Sequence, residues 1–229
     1  PLSSRKNLLF IYAGGDDLFV SGAWNETVEF AFDVYQSFRA YTGQHPDITL
    51  SAGIGIAGAK FPLYQAAKES GDVEKAAKGN GRDSLGLFNA TLKWAEWLGT
   101  ANLKVLKSGD REYLESVDNG QPPALFGVLP FVERLYGEVG QGYTRSFVRN
   151  LLNTAQMQEA KIKEAKEKYP NQVQDIRYYL HLPKVAYTLA RLPDEILTDA
   201  DFRKSLKSPY NAPYFRAIAT WIELLNRSA

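Results

Sequence analysis

The sequence predicts an α+β protein in which a sheet-bearing N-terminal part is followed by an all-helical remainder. Three observations predict it. Short apolar runs separated by Gly/Asp and Gly/Asn clusters fill residues 1–88. Apolar residues at helical spacing dominate residues 89–229. Pro- or Gly-bearing breaks punctuate that second part at 122–123, 137–142, 170, 193 and 209–213. The expected division is therefore a domain over 1–88 and a helical bundle domain over 89–229.

Residues 7–13 (NLLFIYA) form an unbroken apolar run, the pattern of a strand buried on both faces. Gly14, Gly15, Asp16 and Asp17 interrupt it, and residues 18–21 (LFVS) resume a β pattern, which makes a hairpin. Asn25 is the expected N-cap of a helix carrying Val28, Ala31, Tyr35 and Phe38 on one face. Glu26 and Glu29 lie in its first turn, where the helix dipole favours negative charge, and Gly43 ends it. Residues 48–58 (ITLSAGIGIAG) read as a second strand whose Gly53, Gly55 and Gly58 mark bulges or close packing rather than a phosphate loop. Pro62 suits the first turn of a second helix running to Ala77 and closed by Gly79, Asn80 and Gly81. Residues 84–88 (SLGLF) are the expected third strand. Beyond it, 92–106, 111–117, 124–136, 145–168, 173–192 and 214–226 carry helical patterns.

Composition narrows the chemistry. The chain has 229 residues, 45% hydrophobic and 23% charged, enough for a sizeable core and too apolar for wholesale disorder. With no cysteine, a thiol nucleophile, a disulfide scaffold and a thiolate zinc site are excluded. His45 and His181 are the only histidines, each without a sequence partner, so both read as structural. A net charge of +1 argues against gripping nucleic acid by bulk charge. No apolar run approaches about 18 residues, so a soluble, cytoplasmic protein without a membrane span is expected. The chain opens at Pro1 and enters a strand almost at once, which suggests a processed product or a piece of a longer protein.

The tetrad at 14–17 is the strongest local signal. Gly14 and Gly15 let a ligand approach the main chain, while Asp16 and Asp17 concentrate negative charge at the hairpin tip. A divalent cation relieves that repulsion, and Mg²⁺ prefers hard oxygen ligands completed by water and phosphate. Two such ions about 3.5–4 Å apart activate a 3′-hydroxyl and steady a leaving pyrophosphate, the chemistry of nucleotidyl transfer. A plain Gly-Asp turn with solvated carboxylates is the competing explanation. Lys75, Lys78 and Arg82 end the second helix and can face the tip, holding phosphates as point charges or a fork; Lys78 lies nearest the Gly-Asn-Gly break. A solvated helix end explains each singly. Trp24, Trp94, Trp97 and Trp221 read as core before base-stacking platforms. Ser3 and Ser4 read as a frayed start, and the lysines of 161–168 as a solvated face.

The stretch Tyr12, Ala13, Gly14, Gly15, Asp16, Asp17, Leu18, Phe19 and Val20 carries a resemblance, which continues through Gly22, Ala23, Trp24 and 50–54 (LSAGI). So does the Leu87-Phe88 strand followed by Trp94, Glu96 and Trp97. The sequence resembles the second palm domain of the Cas-ten family, the large subunits of type III CRISPR effector complexes. Specific motifs cover about the first 100 residues; the remainder matches the family's C-terminal helical domain in character only. The resemblance implies a partial ferredoxin-like palm of the nucleotide-cyclase (GGDEF) type followed by a helical bundle. It implies a nucleotidyltransferase that turns ATP into cyclic oligoadenylate when target RNA is bound, in antiviral defence. Asp16 and Asp17 would be catalytic and hold Mg²⁺ or Mn²⁺, Gly14 and Gly15 would shape the turn under the triphosphate, and Lys78 and Arg82 would contact phosphates. Implied partners are the small helical subunit, the crRNA-end-binding subunit, crRNA, target RNA and the rest of the large subunit. A palm of this type begins with a strand bearing a further metal-binding Asp and two helices, absent before Leu8 here, so this chain alone is expected to be inactive.

Three other readings compete. One is a non-catalytic scaffold that keeps the palm and docks small subunits. A diguanylate cyclase carries Glu and Phe after the first Asp, where this chain has Asp17 and Leu18. An RNA-dependent polymerase palm also uses Gly-Asp-Asp, but the order of elements after this hairpin suits a cyclase-type palm better.

Overall fold

A computed structural model of the chain describes residues 7–100, 123–136, 145–168, 199–208 and 210–228. The chain divides into two units, Pro1–Trp94 and Ala95–Ala229.

In the first unit, β1 (Leu8–Gly14) pairs antiparallel with β2 (Asp17–Gly22), from Leu8 opposite Gly22 to Gly14 opposite Asp17. The register shifts between Phe10 and Tyr12, so Ile11 is bulged out, which increases the local twist just before the turn. The run predicted for burial on both faces is instead open: Leu9, Phe10, Ile11 and Tyr12 are exposed. Among the described residues β2 is the only strand beside β1, and the one aromatic contact given for it is Phe10 edge-on to Phe30 at 5.5 Å.

Helix α1 (Trp24–Tyr41) follows, with Val28, Phe30, Phe32 and Tyr35 buried. Asn25 is not its cap. The cap position is Ala23, with no side-chain bond, and Glu26 instead accepts from the Asn7 amide and side chain, tying the helix start to the entry of β1. The turn after Thr42 uses Gly43 at φ +60, the left-handed position that favours glycine. The Arg39 guanidinium then donates to the carbonyls of Gln44, His45 and Ile48.

The predicted strand over 48–58 shrinks to β3 (Ala52–Gly53). The reason is close approach: a Cβ on Gly53 would lie 2.3 Å from the Glu74 amide nitrogen. Helix α2 (Leu63–Gly79) therefore packs directly on the backbone there, with Pro62 at its cap position. β3 runs parallel to β4 (Ser84–Leu87), which pairs antiparallel with β5 (Ala90–Lys93). β5 falls where the sequence predicted helix. Phe88 and Asn89 both take positive φ, 54° and 57°, and make a two-residue hairpin turn of the type that matches strand twist. The described strands form two sheets, the β1–β2 hairpin and β3–β4–β5.

α3 (Trp94–Leu98) starts directly after β5. Trp94 stacks on Tyr35, centroids 4.5 Å apart at 11°, and its indole N–H donates to the Leu50 carbonyl. In the second unit the described elements are helical: α4 (Leu129–Tyr136), α5 (Arg145–Lys168), α6 (Ala200–Lys207), a 3₁₀ turn (Ala212–Tyr214) and α7 (Phe215–Ser228). α7 packs against α4 and α5 and buries Phe215, Ile218 and Ile222 completely. Asn211, fully buried, joins three segments: it accepts from the Gly127 amide and donates to the Leu125 and Ser205 carbonyls. The helices expected over 111–117 and 173–192, with His181, Ser3 and Ser4, lie outside the described residues. No helix among the described residues is long and apolar enough to cross a membrane.

Candidate functional site

The hairpin tip is built by two residues. Gly15 takes φ +61 at the first loop position, the place where a tight II′-type turn needs glycine, and Asp16 completes the loop. Asp17 opens β2 opposite Gly14. The two carboxylates are both exposed, and no heavy atom lies within 4 Å of where a Gly15 side chain would start, so the tip is open to a ligand.

Helix α2 delivers the basic groups. Lys78, in its last turn, forms an ion pair of 2.6 Å with Glu74. The Lys78 ammonium is held above the ordinary lysine value, first by the hydrogen bond and charge of Glu74 and further by Asp17, while Arg82 acts against both. Asp17, Lys78, Glu74 and Arg82 thus share one electrostatic neighbourhood although they come from three separate segments. Arg82 is exposed and follows the helix in a left-handed turn, its amide donating to the Lys78 carbonyl at 3.1 Å. Lys75 instead pairs with Asp72 at 3.4 Å.

The other candidates resolve into structure. Trp94 and Trp97 are fully buried, Trp221 nearly so, and Trp24 meets Phe88 edge-on at 6.3 Å. His45 accepts from the Asp47 amide in an exposed turn. The described part of the 161–168 face is solvated, with Lys168 paired to Glu164.

Glu74 was missed in the sequence although its spacing of four residues from Lys78 is the ion-pair spacing of a helix. Two adjacent, exposed carboxylates are a hard-oxygen donor pair that fits Mg²⁺ or Mn²⁺ whose remaining positions are filled by water and phosphate. Among the described residues no group of three or more His, Cys, Asp or Glu side chains gathers to hold a metal. Such a pair, with a lysine in range of one member, can hold a magnesium–polyphosphate but supplies no evident general base of its own.

The first unit thus presents an exposed Gly-Gly-Asp-Asp hairpin, with Lys78 in the last turn of α2 and Arg82 in the left-handed turn that follows it. Residues 2–86 match the family described as Cas10/Cmr2, second palm domain. The chain's relatives include the CRISPR system single-strand-specific deoxyribonuclease Cas10/Csm1 (subtype III-A) of Streptococcus thermophilus, 43% identical over 88 residues. The proteins of the same name from Mycobacterium tuberculosis and Thermococcus onnurineus are 42% identical over 91 residues and 40% over 79. These alignments cover 38%, 38% and 34% of this chain but 11%, 11% and 10% of the relatives, so the match spans about a tenth of their length. No solved structure matches the chain.

Proposed function

We propose that the chain supplies the Gly-Gly-Asp-Asp palm site of a type III CRISPR large subunit, and that this site joins ATP into cyclic oligoadenylate when target RNA is bound. The observation that carries the reading is the exposed Gly-Gly-Asp-Asp turn, with Lys78 at the end of α2 sensing the charge of Asp17.

Each group has a role in this reading. Asp16 and Asp17 hold the divalent ion, Mg²⁺ or Mn²⁺, and are the catalytic pair. When bound, the metal offsets the triphosphate charge and eases loss of the proton from the attacking 3′-hydroxyl. Gly15 keeps the tip open so that the triphosphate lies against the backbone, and Gly14 shapes the turn beside the Tyr12 phenol. Lys78 meets the β- and γ-phosphates as a point charge, leaving Glu74 to do so, and Arg82 adds a planar fork. The 3′-oxygen bonds to the α-phosphorus of the next ATP, the bond to the bridging oxygen breaks, and pyrophosphate departs with the negative charge that Lys78 and Arg82 face.

The open edge and faces of β1 support a ferredoxin-like palm to which a further strand and helices belong. The helical second unit would form the bundle that docks on the small helical subunit. The crRNA-end-binding subunit, crRNA and target RNA would complete a cytoplasmic assembly. A second reading, a palm that binds nucleotide without turnover, draws on the Lys78–Glu74 pair, which occupies the cation the triphosphate needs. The test is nucleotide choice: the complex with target RNA and Mg²⁺ is supplied ATP or GTP. Linked adenylate from ATP alone is expected; binding without product favours the scaffold, and product from GTP overturns the assignment.

A further inference from the structure

We infer that Lys93 is a positioning residue that clamps the left-handed turn Gly81–Asp83, and thereby sets where Arg82 and Lys78 stand at the end of α2. The inference rests on the magnesium–nucleotide reading for its consequence, but the clamp itself is a matter of geometry.

Three consecutive residues take positive φ after α2: Gly81 at 76°, Arg82 at 56° and Asp83 at 46°. Glycine tolerates this region, whereas a run including Arg and Asp costs energy and persists only where its surroundings hold it. The surroundings are specific. The Lys93 ammonium, at the end of β5, donates to the Gly81 carbonyl at 2.8 Å and to the Arg82 carbonyl at 2.5 Å. Ser84 donates its hydroxyl to the same Arg82 carbonyl at 2.7 Å, and the Asn80 side chain reaches Ser84 and the Thr91 carbonyl. One cation from β5 therefore gathers the two carbonyls at the centre of the strained turn. Charge-assisted bonds of this kind are about twice as strong as neutral ones.

The turn is where the basic groups of the site are fixed. The Arg82 amide closes back on the Lys78 carbonyl, and Arg82 and Lys78 sense each other's charge. If the turn relaxes to ordinary right-handed angles, Arg82 swings away and the last turn of α2, which bears Lys78, frays. The effect of Lys93 on the site passes through the backbone of residues 81–82.

The experiment compares Lys93→Met, which keeps the stem and removes the charge, with Lys93→Arg, which retains donors. Two readouts are taken on the full chain: amide exchange at Arg82, and affinity for ATP in Mg²⁺. Lys93→Met is expected to speed Arg82 exchange about tenfold and to weaken ATP about tenfold, with Leu85 exchange unchanged as a check on folding. Lys93→Arg should restore both. Unchanged Arg82 exchange in Lys93→Met overturns the clamp, and faster exchange with unaltered ATP affinity overturns its link to the site. If Lys93→Met fails to fold, failure of Lys93→Arg to keep native exchange at Arg82 overturns the proposal by itself. If the native chain binds no magnesium–ATP, the functional reading fails, while Arg82 exchange still decides the clamp.

Discussion

Lys78 and Glu74, one helical turn apart on α2, form an ion pair of 2.6 Å, and the same lysine sits in the field of Asp17. That cation is therefore already shared between two acids. A triphosphate has to compete with Glu74 for it.

That competition gives the first prediction. Glu74→Gln releases Lys78 and should tighten ATP binding about threefold in Mg²⁺, since an exposed helical pair is worth only a few tenths of a kcal/mol to about 1 kcal/mol. Lys78→Met should weaken it about tenfold. A calorimetric titration measures both, and opposite signs for the two variants are the expected outcome.

Gly53→Ala tests how closely α2 rests on the sheet. Its new methyl would meet the Glu74 nitrogen at 2.3 Å and the Ser70 carbonyl oxygen at 2.5 Å, both backbone atoms that cannot turn aside. A loss of about 2 kcal/mol is expected in urea unfolding. Gly55→Ala, whose nearest contact is the Ser70 hydroxyl at 2.9 Å, should cost less.

The buried Asn211 supports the second unit in the same checkable way. Asn211→Ala leaves the Leu125 and Ser205 carbonyls and the Gly127 amide without this partner, at a cost of about 3 kcal/mol. Denaturant melts followed at the tryptophans of this unit measure it.

Acid stability should respond to Asp199. The Phe202 amide at the start of α6, and then the Arg134 guanidinium at 2.8 Å, hold its carboxyl below the ordinary 3.8. The folded-state value lies under the unfolded one, so this stabilisation is complete above about pH 4 to 5 and is lost as pH falls through the lower folded value. Asp199→Asn should flatten the acid limb below that range and leave the slope above pH 6 unchanged in a pH series of melts.

Much of this was legible in the sequence because local chemistry decided it. The Gly-Gly-Asp-Asp turn, the Gly43 stop and α2 between Pro62 and Gly79 follow from residues whose backbone preferences leave few options. What was not legible depended on distant partners. Asn25 has a capping side chain, but Glu26 found Asn7 nineteen residues earlier and the helix began two residues sooner. β5 reads as amphipathic helix until Phe88 and Asn89 adopt left-handed angles and fold it back on β4. The apolar run of β1 promised burial on both faces, and no periodicity within it says what covers it. Around the candidate site, the Glu74–Lys78 pair could have been found from its spacing of four residues, whereas the Lys93 bonds to the Gly81 and Arg82 carbonyls emerge only from segments meeting in space.

The most direct test of the account is oligoadenylate synthesis by the assembled effector complex, given labelled ATP, Mg²⁺ and target RNA, with the Asp16→Ala/Asp17→Ala double variant alongside the native protein. The account predicts that the variant assembles and binds RNA normally while product falls by a factor of at least about 10³. Product formed at the native rate by the assembled variant would contradict it.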